Sequence, residues 1–477
     1  MKRLSFESFE PDYATQQPVF VQLYEHIRQA IIQQKLTADV RLPASRTLAR
    51  LLGLSRTTVV SAYDQLVAEG YLYSRTGSGF FVQPGATDDL YQKVQVPIKA
   101  ANNRPEKSPE KQRLSHPGYP DDRLFPYQAW ARCVSRTARL DPQALIKTDN
   151  MFGDTRLQRA ISDYLLEWRG LEIDPEQVLI TAGSIDALEN CIRSLTIPGD
   201  IAALENPGYL PLRHIVSNQG LSIAWLAIGN QGAELPKSDK SGQTEKLVVL
   251  TPSHQFPLGG AMTHGRRQEF LQWANHHNAW IIEDDYDSEM RFSGRPIPAM
   301  ASLDRFDRTI YVGTFSKVFS VGLRLGYLIM PKQIINRFKN TISRFGIKAA
   351  VPAQRALAHF MEDGDLYRHI RKSRRIYSER RKLLIELLHS KLHEFIEFDD
   401  HQAGMQLTIK FRTVVNDLEV SEIAKRQGVD VSPLSAQYHG KPAQSGLIMG
   451  FCGFNETEIK VTMKKLVNII QTKMLTN

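Results

Sequence analysis

Between Val178 and Val312 the sequence places short, fully apolar runs, Val178-Leu179-Ile180, Leu247-Val248-Val249-Leu250, Trp280-Ile281-Ile282 and Ile310-Tyr311-Val312, with helix-length stretches between them. A strand without polar alternation is buried on both faces, and strands separated by helices pair in parallel. The pattern therefore predicts an α/β domain: a mostly parallel sheet with helices on both sides. After about residue 370 a long charged helical stretch, HIRKSRRIYSERRKLLIELLHSKL, precedes mixed strands and helices, which predicts a smaller C-terminal subdomain.

This texture begins only at His116. From 84 to 115 the chain has scattered Pro, Lys, Glu and Asn, few apolar residues and no sustained period, as a flexible linker does. Residues 14–83 and 116–475 then form separate domains, a division that 477 residues readily allow. No stretch approaches the roughly 20 apolar residues of a membrane span. The N-terminus has no apolar segment behind Lys2 and Arg3, so a cytoplasmic protein without a membrane partner is expected. Cys133, Cys191 and Cys452 are odd in number and far apart, as buried thiols are, and no histidine stands at metal-ligand spacing.

The formal charge of +9 permits a nucleic-acid partner without establishing one, so the placement of basic residues decides. In the first module Ser45 is positioned to cap a short helix with Leu48 and Leu52 on one face, and Gly53-Leu54-Ser55 breaks it. A second helix follows from Arg56, with Val59, Tyr63 and Leu66 facing inward and Arg56, Thr57 and Thr58 left at its exposed start. Such a start is where a recognition helix meets bases and phosphates. Two short strands, Gly70 to Ser74 and Gly79 to Val82, flank Arg75-Thr76-Gly77-Ser78, a wing whose glycine tip and Arg75 suit phosphates. Any small helical hairpin could carry Arg and Thr on its surface, so the motif gains weight only from its surroundings.

In the large domain the informative segment is Thr314-Phe315-Ser316-Lys317, which runs on to Arg324. A lysine at a strand end among small hydroxyls can form a Schiff base with an aldehyde, while Thr314, Ser316 and Arg324 hold a phosphate. A lone lysine is more often a solvated charge. Upstream, the apolar Trp280-Ile281-Ile282 ends in Glu283-Asp284-Asp285-Tyr286. Clustered acids at a buried strand end call for a cation, either a metal or a protonated pyridine nitrogen, and Asp284 is the residue chosen for the latter, with Tyr286 donating to a phenolic oxygen. Thr181-Ala182-Gly183-Ser184-Ile185 reads as a strand, a glycine turn and a phosphate-binding helix start, and Glu205-Asn206-Pro207-Gly208-Tyr209 offers a ring for stacking.

LPASRTLARLLGLSRTTVVSAYDQLVAEGYLYSRTGSGFFV resembles the GntR-type winged helix, and TAGSIDAL, ENPGY, EDDYDSE and TFSKVFSVGLRLGY together resemble fold-type I aminotransferases over residues 116–475. The whole chain looks like a MocR-type regulator. That resemblance implies pyridoxal phosphate as an internal aldimine on Lys317, with Asp284 at the ring nitrogen, Tyr286 at the ring oxygen and Tyr209 stacked on the ring. Ser184, Ile185, Thr314, Ser316 and Arg324 hold the phosphate. It implies double-stranded DNA with repeated half-sites as a partner, contacted by Arg46, Arg56, Thr57, Thr58, Arg75 and Gly77, a head-to-tail homodimer, and a small effector: an amine, an amino acid or the cofactor itself. The sequence departs from working aminotransferases in two places. The strand that carries their carboxylate-binding arginine reads Leu447-Ile448-Met449, and Phe256 replaces the asparagine that tunes the ring oxygen. Both departures favour a sensor over an active aminotransferase carrying a DNA-binding module.

Overall fold

The computed structural model describes residues 9–15, 17–75, 77–85, 118–237 and 244–476. The chain divides into two compact units, Met1–Ser108 and Pro109–Asn477. Apart from Pro84 and Gly85, the linker assigned to 84–115 lies outside the described residues, as does Thr76 of the wing.

The first unit holds α1 (Val19–Ile32), α2 (Ser45–Leu52), α3 (Arg56–Ala68) and a hairpin of β1 (Leu72–Arg75) and β2 (Gly79–Val82). Leu23, Ile27, Ile31, Leu48, Val59, Tyr63, Leu66, Leu72 and Val82 close one core. The spacing of these residues is the helical and strand periodicity of the sequence made physical. Gly53 ends α2 in the left-handed conformation at φ 66°. Ser55 then starts α3 by accepting a hydrogen bond from the Thr58 N–H at 3.1 Å. Ser45 does not cap α2: Ala44 occupies the capping position and Ser45 is the first helical residue. The Tyr63 hydroxyl donates to the Pro43 carbonyl at 3.0 Å, just ahead of this helix start.

The second unit is built on one eight-stranded sheet of β3 (Val178–Thr181), β4 (Ile201–Asn206), β5 (Ser222–Gly229), β6 (Gly232–Ala233), β7 (Leu247–Leu250), β8 (Trp280–Asp285), β9 (Thr309–Thr314) and β10 (Gly326–Ile329). Their order is β3-β10-β9-β8-β7-β4-β5-β6, and every pairing from β9 to β5 is parallel. β10 runs antiparallel between β3 and β9, and β6 is an antiparallel edge, so the sheet is mostly parallel, as the sequence predicts, with antiparallel strands toward both edges. All of β3, β7, β8, β9 and β10 is buried, as apolar runs without alternation require. A second sheet, antiparallel and ordered β11-β12-β14-β13, joins β11 (Ile396–Glu397), β12 (Gln406–Phe411), β13 (Ser432–Pro433) and β14 (Gly446–Gly450). It forms the C-terminal subdomain with helices Asp365–Leu392, Asp417–Arg426 and Glu456–Thr476. Cys133, Cys191 and Cys452 are free and buried. Among the described residues no helix is long and apolar enough to cross a membrane.

Candidate cofactor and DNA sites

In a parallel sheet the carboxyl ends of the strands open into a crevice, and ligands collect there. Here β3 leads through Gly183 into a helix starting at Ser184, β4 leads to Tyr209, Asp284 is the last residue but one of β8, and β9 ends just before Lys317. Their side chains meet in a cavity of about 370 Å³, where Ser184, Tyr209, Asp284, Tyr286 and Lys317 line the wall with Gly118, Thr251, Phe256, Gln406 and Gln437. Ile185, Thr314, Ser316 and Arg324 do not line it. Thr314 and Ser316 form the turn that carries Lys317, where the Ser316 N–H donates to Thr314 Oγ1 at 3.1 Å. Arg324 is exposed in the left-handed region at φ 50°, an uncommon setting for a residue with a side chain. Close packing fixes this corner. A Cβ on Gly313 would sit 2.3 Å from the Tyr327 ring, and one on Gly326 would sit 2.8 Å from the Gly183 backbone.

The acid cluster on β8 divides by strand alternation. Glu283 and Asp285 point one way, where the buried Arg169 lies 3.8 Å and 2.9 Å from them. Glu283 also accepts from the Met300 and Ala301 N–H groups, and Asp285 from the Tyr311 hydroxyl. Their countercharge therefore comes from the protein. Asp284 faces the other way, buried, and its Oδ1 has no hydrogen-bond partner among the described residues. Burial, reinforced by Asp285 and Glu205, raises its pKa to about 7 against the pull of Lys317. Such a carboxylate calls for a cationic hydrogen-bond donor in the cavity. Burial likewise lowers the Lys317 pKa, which favours the neutral, nucleophilic amine. Tyr286 lies 3.1 Å from His254 Nδ1, which is itself 3.1 Å from both Asp287 oxygens. Tyr209 meets Phe256 edge-on at 5.8 Å, and Phe256 meets Tyr286 edge-on at 6.2 Å. A flat aromatic ring carrying a protonated nitrogen and an aldehyde matches this donor set: an orphaned acid, a buried lysine, a phenol and an aromatic wall. Pyridoxal phosphate is that group.

Sequence reasoning did not find Arg169, His254, Gln406 or the Gly118 loop, where a Cβ would lie 2.7 Å from Lys317 Nζ. Arg213 is half-buried. It donates to the Tyr438 carbonyl at 3.1 Å and to the Gln437 carbonyl, and stacks over Trp225.

In the first unit Arg46, Arg56, Thr57, Arg75 and Gly77 are exposed and Thr58 is half-buried. The Ser55 hydroxyl lies 2.7 Å from that of Thr57 and 2.8 Å from that of Thr58, so all three hydroxyls gather at the start of α3. Arg75 is held over Tyr73 and Phe81 and donates to the Tyr73 hydroxyl at 2.7 Å. Gly77 has φ 74° at the wing tip.

A winged helix-turn-helix in one unit and a lysine-bearing cofactor cavity on a mixed α/β sheet in the other define a DNA-binding protein with an aminotransferase-like domain. The model of aminotransferase class I and II matches residues 111–465, and that of the bacterial regulatory proteins of the gntR family matches residues 20–82. The chain is 38% identical over 469 residues to the probable rhizopine catabolism regulatory protein MocR of Rhizobium meliloti, covering 96% of this chain and 94% of the relative. It is 32% identical to the pyridoxine biosynthesis transcriptional regulator PdxR of Corynebacterium glutamicum, covering 94% and 95%. Kynurenine aminotransferase of Pyrococcus horikoshii, solved in complex with PMP, shares the fold with a TM-score of 0.71 at 24% identity, over 76% of this chain and 92% of that one. The chain belongs to the MocR-type transcriptional regulators, in which a GntR-family winged helix precedes an aminotransferase class I and II domain.

Proposed function

We propose that this regulator holds pyridoxal phosphate on Lys317 and converts the binding of a small amine, an amino acid or the cofactor itself into altered affinity for an operator with repeated half-sites. When bound, the cofactor supplies an aldehyde carbon able to condense with primary amines. Asp284 would face its ring nitrogen, Tyr286 its ring oxygen and Tyr209 its face. Ser184, Ile185, Thr314, Ser316 and Arg324 would hold the phosphate, partly through the helix N-terminus that begins at Ser184. On DNA, Arg46, Arg56, Thr57, Thr58, Arg75 and Gly77 would make the contacts, and a cytoplasmic head-to-tail homodimer would match paired half-sites.

The observation that carries this reading is the composition of the cavity: it offers a Schiff-base lysine and an unpaired acid, yet no arginine is among the described residues that line it. The effector must bind two conformations of the large domain unequally for a signal to pass. The purified protein should show the cofactor's near-visible absorbance, Lys317→Ala should lose it, and an effector amine should change both that absorbance and operator mobility in a gel. A colourless protein after incubation with pyridoxal phosphate would refute the cofactor role, and rapid steady amino-group turnover would make it an enzyme.

A further inference from the structure

Three oxygens converge on one nitrogen behind the cavity wall. His254 Nδ1 lies 3.1 Å from each Asp287 carboxylate oxygen and 3.1 Å from the Tyr286 hydroxyl. His254 and Asp287 are buried, while Tyr286 is half-buried and lines the cavity. Gly404 packs against the imidazole, and a Cβ there would collide with Cε1, Nδ1 and Nε2, so a glycine is what lets the ring lie here. The Asp287 carboxylate can only accept, and it already accepts from the Met405 N–H at 3.2 Å. Its two oxygens therefore require the proton on Nδ1, because a bare Nδ1 would set a lone pair against theirs. A protonated Nδ1 has no lone pair left for Tyr286. The Tyr286 hydroxyl thus cannot donate to the histidine, and among the described residues it has no other hydrogen-bond partner. Its proton is free for an acceptor in the cavity.

We infer that His254 is a positioning residue for the cofactor: by giving its Nδ1 proton to Asp287, it leaves the Tyr286 hydroxyl as a committed donor to the ring oxygen. The inference rests on the proposed placement of pyridoxal phosphate against Tyr286. Neither His254 nor Asp287 lines the cavity, so both act through Tyr286. Burial first, and the Asp287 charge next, raise the Tyr286 pKa. With His254 gone, that carboxylate becomes a rival acceptor for the hydroxyl proton.

The test is a double-mutant cycle on the full chain, with the dissociation constant of pyridoxal phosphate read by equilibrium dialysis and near-visible absorbance. His254→Phe should weaken binding roughly tenfold or more where Tyr286 is present, but less than about twofold where Tyr286→Phe has already removed the hydroxyl. His254→Asn, whose side-chain amide can donate to Asp287 in place of Nδ1, should restore most of the affinity. Equal losses from His254→Phe in the two backgrounds would overturn the inference, since the histidine would then act through packing alone, as would a failure of His254→Asn to rescue. A protein that never acquires the cofactor absorbance would overturn the underlying reading as well, which separates the two failures. Should His254→Phe fail to fold, nitrogen NMR of the histidine-labelled unaltered protein still decides: a proton on His254 Nδ1 supports the inference, and a bare Nδ1 refutes it.

Discussion

Asp284 is where cofactor and stability meet. Its pKa is raised from 3.8 to about 7 by burial and by the neighbouring Asp285 and Glu205. An acid with a raised folded-state pKa keeps a proton that the unfolded chain has already released, so its effect on stability worsens as the pH climbs from about 4 to about 7. At roughly 1.36 kcal/mol per unit, the shift amounts to about 4 kcal/mol of destabilisation once the carboxyl is ionised. Asp284→Asn removes the charge and keeps the shape. Freed of pyridoxal phosphate, the variant should be more stable than the unaltered protein at about pH 8, by up to about 4 kcal/mol, with the gap closing near pH 4. Pyridoxal phosphate should reverse the order, because a protonated ring nitrogen beside an ionised Asp284 is an attraction that asparagine cannot offer. The assay is urea denaturation of the large-domain transition at several pH values, with and without the cofactor. Destabilisation by Asp284→Asn at every pH in the cofactor-free protein would refute the argument, since it would mean that Asp284 is paired within the fold.

The mirror-image case is Arg169→Met, which leaves Glu283 and Asp285 buried without a countercharge. It should cost about 3–5 kcal/mol, read as a lowered thermal midpoint with or without cofactor. Gly326→Ala drives a methyl group into the Gly183 backbone and the Gly313 carbonyl, 2.8 Å and 3.0 Å away. It should displace the helix start at Ser184 and weaken cofactor retention in equilibrium dialysis. Arg56→Ala should weaken DNA binding across sequences and reduce the slope of log affinity against log salt by about 1, and an unchanged slope would exclude a phosphate contact.

What the sequence made legible were local patterns: apolar runs that became β3, β7, β8 and β9, the face of α3 that buries Val59, Tyr63 and Leu66, and the strand-end positions of Asp284 and Lys317. Alternation on β8 was legible as well, but not its consequence. Arg169 comes from a helix more than 100 residues upstream, and only its position reveals that Glu283 and Asp285 already share a countercharge. Separation in sequence likewise hid His254, 32 residues before Tyr286, and Gln406 across the cavity. Such partners carry no local signature, because a buried histidine or glutamine in sequence looks like any other. The Ser45 cap, a local preference worth about 1 kcal/mol, was not realised: α2 starts at Ser45 itself, with Ala44 in the capping position.

The cavity is also where the large sheet and the C-terminal sheet are tied together. Asp287, just past β8, lies 3.1 Å from His254 Nδ1 and accepts from the Met405 N–H at 3.2 Å, one residue ahead of Gln406. Thr408 reaches the Pro257 carbonyl, and Arg213 reaches the Gln437 and Tyr438 carbonyls. Tyr286 joins this set through His254, so a group bound against Tyr286 touches a run of hydrogen bonds that ends on β12. A ligand pressed between Tyr286 and Gln406 therefore contacts both sheets at once. Its binding energy must depend on their spacing, and the spacing on whether it is bound, as reciprocal coupling requires. An aminotransferase closes around its substrate to exclude water; a regulator needs only that the closed and open arrangements differ in free energy by an amount its effector can supply.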